Sequence, residues 1–155
     1  MSLCKVNGST QESEEAAVSS ERAAESVSSE KVKILIAEDI TLNMTLIKAL
    51  ILGMYPQAEL HEAVNGVEAV RLRREVKPDL IFMDVQMPEL DGLEATRQIR
   101  DIEKETGDHV PIIALTAGAF KEEREKCMAA GMDDFLTKPV EIGKISSVLK
   151  KYTGV

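Results

Sequence analysis

Apolar residues in this chain fall into two alternating kinds of run. Short blocks rich in Ile, Leu and Val occupy 32–37, 58–64, 80–85, 112–116 and 135–137. Between them lie longer stretches in which apolar positions recur every three or four residues, at 42–54, 66–77, 92–106, 121–130 and 142–152. The first kind predicts strands and the second helices. The blocks 33–37 and 80–83 are apolar almost throughout, which predicts strands covered on both faces. Punctuation agrees with the spacing. Gly53, Gly107 and Gly131 stand where helices should stop, and Pro78 and Pro111 stand just ahead of strands. Asn65 and Asp91 precede glycines as N-cap candidates for the helices that follow. Five strand–helix units in strict alternation predict an α/β fold, a doubly wound parallel sheet with helices on both sides.

Residues 1–30 follow neither pattern. They hold eight serines, six glutamates and two basic residues (Lys5 and Arg22), a net charge of -4. Such composition buries too little apolar surface to offset its ordering entropy. It predicts an acidic Ser/Glu-rich linker or tail, leaving 31–155 as the domain. The whole chain of 155 residues carries -8, with 3% aromatics. An acidic chain without a basic block predicts no direct nucleic-acid binding. No apolar run approaches the roughly 20 residues that span a bilayer, and no secretory leader opens the chain, which predicts no membrane contact. Cys4 and Cys127 are too few for a disulfide framework or a four-thiolate zinc site. A reducing, intracellular compartment is the expectation.

In an open parallel sheet, ligands bind beyond the carboxyl ends of the strands. The first strand ends in Glu38-Asp39, the third in Asp84, the fourth in Thr116 and the fifth in Lys138-Pro139. Three carboxylates, a hydroxyl and an ammonium are therefore predicted at one sheet edge. A single strand-end acid is often only the N-cap of the next helix. The joint placement of all five groups argues for chemistry. Carboxylates this close repel unless a cation joins them, and a hard ion such as Mg²⁺ (or Mn²⁺) suits an all-oxygen set. One carboxylate can then attack phosphorus while Lys and Thr bind the transferred oxygens.

With these residues in view, 32–152 resembles the receiver domain of two-component response regulators. The resemblance rests on Ile34-Leu-Ile-Ala-Glu-Asp39, on Asp79-Leu-Ile-Phe-Met-Asp-Val-Gln-Met-Pro-Glu-Leu-Asp-Gly92, on Pro111-Ile-Ile-Ala-Leu-Thr-Ala117 and on Gly131-Met-Asp-Asp-Phe-Leu-Thr-Lys-Pro139. It implies a flavodoxin-like (βα)5 fold with a five-stranded sheet in the order 2-1-3-4-5. It implies Asp84 as phosphoacceptor, Asp39 as a direct Mg²⁺ ligand beside Asp84, Glu38 acting through water, and the backbone carbonyl of Gln86 as a further ligand. Lys138 would bind a phosphoryl oxygen, and Thr116 would close onto the phosphoryl group. Phe135 takes the place of the switch aromatic, often Tyr in the family. The Lys138–Pro139 bond is implied to be cis. The donor would be a histidine kinase or a histidine phosphotransfer domain, and the location cytoplasmic, free or attached to a membrane-bound sensor kinase. The domain would be regulatory rather than an enzyme, assisting its own phosphorylation and dephosphorylation.

The segment Ala37-Glu-Asp-Ile-Thr-Leu-Asn43, the polar stretch in front and the lack of residues beyond the fifth helix resemble the receiver of a hybrid histidine kinase. The family usually carries Asn directly after the acidic pair, where this chain has Ile40. A dehalogenase-type phosphatase is disfavoured because Gln86 stands where its second Asp belongs. A dinucleotide or P-loop site is disfavoured because 38–43 contains no glycine. A degenerate receiver acting only as a protein-interaction module is the remaining alternative. The first helix is richer in apolar positions than one face requires. Leu42, Leu46, Ala49 and Leu50 are assigned to the sheet. Ile40, Met44, Ile47 and Ile51 form a second stripe, predicted to dock a helical partner beside Asp84. His61 and His109 lack metal partners at ligand spacing. Cys127 is read as a small core residue. Arg71, Arg73 and Arg74 are read as a solvated helix face.

Overall fold

A computed structural model describes residues 31–118 and 120–155, so the acidic segment 1–30 lies outside the described residues. The elements alternate as predicted: β1 (Lys33–Ala37), α1 (Thr41–Met54), β2 (Glu59–Ala63), α2 (Gly66–Val76), β3 (Leu80–Asp84), α3 (Gly92–Thr106), β4 (Ile112–Thr116), α4 (Lys121–Ala130), β5 (Asp134–Thr137) and α5 (Ile142–Thr153). The five strands are parallel and lie in the order 2-1-3-4-5. Ile34 pairs with Leu60 on one side and Leu80 on the other, and Phe82 pairs with Ile113. β3 and β4 are buried at every residue, as uniformly apolar central strands should be. The edge strand β2 is polar and half-buried over most of its length.

Alternation along the strands divides the apolar interior in two. Leu35, Ile81, Met83, Ile112 and Ala114 pack with Ala69, Ala95, Ile99 and Cys127 of α2, α3 and α4. Ile34, Ile36, Phe82, Ile113 and Leu115 pack with Met44, Ile47, Ile51, Ile145 and Leu149 of α1 and α5. Extending that alternation to the strand ends places Glu38 and Asp84 on the α1/α5 face. Thr116 falls on the α2/α3/α4 face, where Phe135 packs.

Helix ends follow their capping chemistry. The Asn65 side chain accepts the Glu68 backbone N–H at 2.8 Å, while the Glu68 carboxylate accepts the Val64 N–H at 3.0 Å. Asp91 accepts the Glu94 N–H at 2.8 Å. α3 and α4 close on Gly107 and Gly131, whose positive φ values of 79° and 107° suit glycine. Gly53 does not end α1. The helix runs to Met54 and is capped at Tyr55, just ahead of Pro56, which cannot continue it.

Two expectations need correction. The stripe assigned to partner docking is largely core: Met44, Ile47 and Ile51 are only 5%, 2% and 0% exposed, and Ile40 alone is open to solvent at 51%. The stripe assigned to the sheet is the outer one, with Leu42 76% and Leu46 44% exposed. Two adjacent apolar stripes have the same period. Which one turns inward is set by packing of α1 against β1, β3 and α5, which periodicity does not contain. The arginine cluster is also not wholly solvated. Arg71 and Arg74 are exposed, but Arg73 is buried and pairs with Glu103 at 3.0 Å. Glu103 also accepts the Val110 N–H at 2.9 Å and an Arg100 N–H at 2.6 Å. Arg100 reaches on to the Gly131 carbonyl and to Asp133, each at 2.8 Å. This buried polar set ties α2 and α3 to the turns before β4 and β5. His109 joins it through Asp133 at 2.7 Å, while His61 pairs locally with Glu59 at 2.6 Å. Cys127 is buried as a small core residue.

Candidate functional site

The ends of β1, β3 and β5 converge. Asp84 closes β3 and is 5% exposed, and Glu38 follows β1 at 1%. The Lys138 ammonium arrives from the end of β5. It lies 3.0 Å from Glu38 Oε1 and 3.1 Å from Asp84 Oδ2. Asp39 is exposed beside them. Glu38, Asp39 and Asp84 each offer an oxygen, and the three lie within 4.8 Å of one another. Glu38 Oε2 accepts the Ile40 N–H at 3.1 Å, and Asp84 Oδ1 accepts the Gln86 N–H at 3.3 Å. Among the described residues, Glu38 Oε1 is buried without a well-angled hydrogen-bond donor, and its charge is met by Lys138. The donor set is hard, anionic and under-neutralised, three carboxylates against one ammonium. That chemistry fits a small divalent cation with oxygen ligands.

The electrostatics follow from this crowding. Burial, and then the neighbouring Glu38 charge, push the Asp84 carboxyl from 3.8 up to about 6, against the lowering effect of Lys138. Burial by itself would lower Lys138, but its contacts with Glu38 and Asp84 outweigh that and raise it. The cleft outside Asp84 has a volume of about 630 Å³. Asp39, Ile40 and Asn43 line it on one flank, Gln86 and Pro88 on another, and Ala117 and Glu123 on a third.

The loop after β3 is held closely at two points. The Gly92 N–H donates to the Val85 carbonyl at 2.8 Å, and a Cβ at Gly92 would lie 2.1 Å from the Asp84 carbonyl oxygen. The Gly66 N–H donates to the Leu90 carbonyl at 2.9 Å, and a Cβ there would lie 2.2 Å from that oxygen. Only glycine tolerates either approach. Glu89, between these points, has a positive φ of 70°.

The remaining predicted residues are placed as follows. The Thr116 hydroxyl donates to the Gly118 carbonyl. Phe135 is half-buried, with the Arg124 guanidinium 5.4 Å from its ring centre. The Lys138–Pro139 peptide bond is cis. Sequence reasoning quoted Asn43 only as part of a family pattern, with no role in the site, and passed over Glu123 and Arg124. Glu123 and Arg124 lie in the first turns of α4, a helix that carries no strand-end signal. No helix among the described residues is long and apolar enough to cross a membrane.

Residues 34–150 match the family described as response regulator receiver domain. Among curated relatives, hybrid signal transduction histidine kinase I of Dictyostelium discoideum is 45% identical over 113 residues, 70% of this chain and 6% of that protein. Probable histidine kinase 1 of Oryza sativa subsp. indica is 36% identical over 156 residues, 82% of this chain and 16% of that protein. The chain thus spans only a small part of these kinases. Polar-differentiation response regulator DivK of Brucella anthropi is 38% identical over 124 residues, 78% of this chain and 95% of that protein. Two solved structures are similar. One is the receiver domain of a sensor histidine kinase from Pseudomonas aeruginosa PAO1, with a magnesium ion coordinated in its active site cleft. It has a TM-score of 0.72 and 38% identity, covering 81% of this chain and 100% of that one. The other is the Saccharomyces cerevisiae co-crystal of a histidine phosphotransfer signaling protein with the receiver domain of its downstream response regulator. It has a TM-score of 0.72 and 35% identity, covering 79% of this chain and 88% of that one.

Proposed function

Because the chain belongs to the response regulator receiver domain family, we propose that it is a phospho-accepting relay module whose acceptor is Asp84. The observation that carries this reading is the position of the Asp84 carboxylate. It stands at the floor of an open cleft, 3.1 Å from the Lys138 ammonium and within 4.8 Å of two further carboxylates. In the proposed reaction, an Asp84 oxygen attacks the phosphorus of a phosphohistidine on a partner. The phosphorus–nitrogen bond breaks and the imidazole leaves. Lys138 is placed to hold a phosphoryl oxygen as charge develops there. Asp39 and Asp84 would hold Mg²⁺, with Glu38 acting through water and the Gln86 backbone carbonyl as a further ligand, and the ion would supply charge neutralisation and alignment. Positioning and electrostatics do most of such catalysis.

The acyl phosphate then offers a new acceptor to Thr116, whose hydroxyl is otherwise given to the Gly118 carbonyl. Movement of Thr116 frees space on the face where Phe135 packs, and Phe135 and α4 form the proposed readout. The proposed donor is a histidine kinase or histidine phosphotransfer domain, within or beside a hybrid kinase. Ile40, at the mouth of the cleft, and the neighbouring Leu42 offer an exposed apolar contact for it.

The test is incubation of the wild-type chain and Asp84→Asn with acetyl phosphate, and separately with a phosphohistidine protein, with Mg²⁺ and with excess chelator. Wild type should gain one acid-stable, alkali-labile phosphoryl group only with Mg²⁺, and Asp84→Asn none. Equal Mg²⁺-dependent labelling of the variant would sink the assignment.

A further inference from the structure

The cleft holds one carboxylate that neither the cation set nor the acceptor uses. Glu123 lies in the first turn of α4, and its side chain lines the cleft together with Asp39, Asp84 and Lys138. It approaches the strand end closely. Its Oε1 would sit 3.8 Å from a Cβ placed on Gly118, two residues after Thr116. Among the described residues it makes no ion pair and accepts no side-chain hydrogen bond. The nearby Lys121 pairs with Glu125, and Lys126 lines the adjoining groove, which Glu123 also borders without an ion pair to it. Asp39, Asp84 and Glu123 thus present three negative charges to an incoming donor, against one positive charge on Lys138. A bound divalent cation would be shared by Asp39 and Asp84 and would leave Glu123 unmet.

Resting on the phosphoacceptor reading above, we infer that Glu123 is a specificity-determining residue that discriminates among phosphoryl donors by their charge. A small acyl phosphate enters as a dianion and must pass this carboxylate. Phosphoramidate enters with one negative charge fewer. A phosphohistidine arrives on a partner whose own contacts offset the repulsion. Selectivity built from repulsion of the wrong donor is a difference of affinities, and costs the right donor little. The competing account is that Glu123 serves only the positive end of the α4 dipole, where acids are favoured. Glu122 occupies that same first turn but does not line the cleft, which separates the two accounts.

The experiment compares initial phosphorylation rates of the full chain by acetyl phosphate and by phosphoramidate at saturating Mg²⁺. Wild type, Glu123→Gln, Glu123→Asp, Glu123→Lys and Glu122→Gln are taken in parallel. Across a cleft on the order of 10 Å wide, one unit charge acting through largely aqueous surroundings changes the ratio of the two rates about two- to four-fold. Glu123→Gln should raise the acetyl phosphate to phosphoramidate ratio by that amount, and Glu123→Lys by more. Glu123→Asp and Glu122→Gln should keep the wild-type ratio. The gain should shrink in about 1 M salt, where the screening length falls to roughly 3 Å. A ratio unchanged in Glu123→Gln, or raised equally by Glu122→Gln, overturns the inference and leaves the phosphoacceptor reading standing. Failure of both donors to modify the wild-type chain removes both.

Discussion

Asp84→Asn should stabilise the metal-free protein. The Asp84 carboxyl is raised from 3.8 to about 6, first by burial and then by Glu38. A raised carboxyl means that the folded chain holds this proton more tightly than the unfolded chain does. The ionised form therefore costs folding free energy. That cost is absent below about pH 4, grows between pH 4 and 6, and is complete above pH 6. A shift of roughly two units, at 1.36 kcal/mol each, makes it about 3 kcal/mol. Asn is close in shape to the protonated acid and stays neutral throughout. Urea denaturation in EDTA should thus find Asp84→Asn more stable by up to about 3 kcal/mol at pH 7.5, with the difference vanishing near pH 4. Adding Mg²⁺ should narrow the gap from the other side. A ligand at ten times its Kd stabilises by about 1.4 kcal/mol, and the variant lacks one carboxylate of the set. The reasoning is refuted if Asp84→Asn is no more stable than wild type in EDTA at pH 7.5, or if its advantage is as large at pH 4.

Two further outcomes follow from the packing. Glu103→Ala should cost about 3 kcal/mol, because it leaves Arg73, with its side chain 9% exposed, only the exposed Asp108 at 4.0 Å as an ion-pair partner and orphans the Val110 N–H. Burial alone would raise the Glu103 carboxyl, but the Val110 N–H, Arg100 and Arg73 together lower it below 4.5. The difference between wild type and variant should therefore be full above pH 4.5 and fall as pH drops through the lower folded value, as read by denaturation at several pH values. Met44→Asp should destabilise the domain by several kcal/mol, since Met44 is 5% exposed, whereas Leu42→Asp at 76% should leave stability within about 0.5 kcal/mol. Leu42→Asp should slow transfer from a phosphohistidine protein while sparing acetyl phosphate. Equal slowing with both donors would remove this end of α1 from the proposed docking contact.

The alternation of strands and helices was legible because apolar period differs between the two, and because Asn65, Asp91, Gly107 and Gly131 act locally. Their capping bonds involve residues only a few positions away. The convergence of Glu38, Asp39, Asp84 and Lys138 was legible for a different reason. Parallel strands send all their carboxyl ends to one edge, so knowing where each strand stops was enough. What stayed hidden depends on contacts between elements. The rotation of α1 is decided by how its two apolar stripes meet the sheet and α5. Arg73 looks like its neighbours Arg71 and Arg74 until Glu103, thirty residues on, is brought against it. Glu123 enters the cleft from a helix, where no strand end marks the position.

On the proposed phosphoacceptor reading, the two-layer interior would separate chemistry from response. Glu38 and Asp84 continue the layer shared by α1 and α5, while Thr116 and Phe135 belong to the layer shared by α2, α3 and α4. A sheet of five strands stands between them. On that reading, substitutions among Ala95, Ile99 and Cys127 would alter the layer in which Phe135 packs and not the one beneath Glu38 and Asp84. Changes beneath α1 would conversely bear on the layer that carries Glu38 and Asp84. On that reading, such a partition would let one acidic pocket serve different readout surfaces.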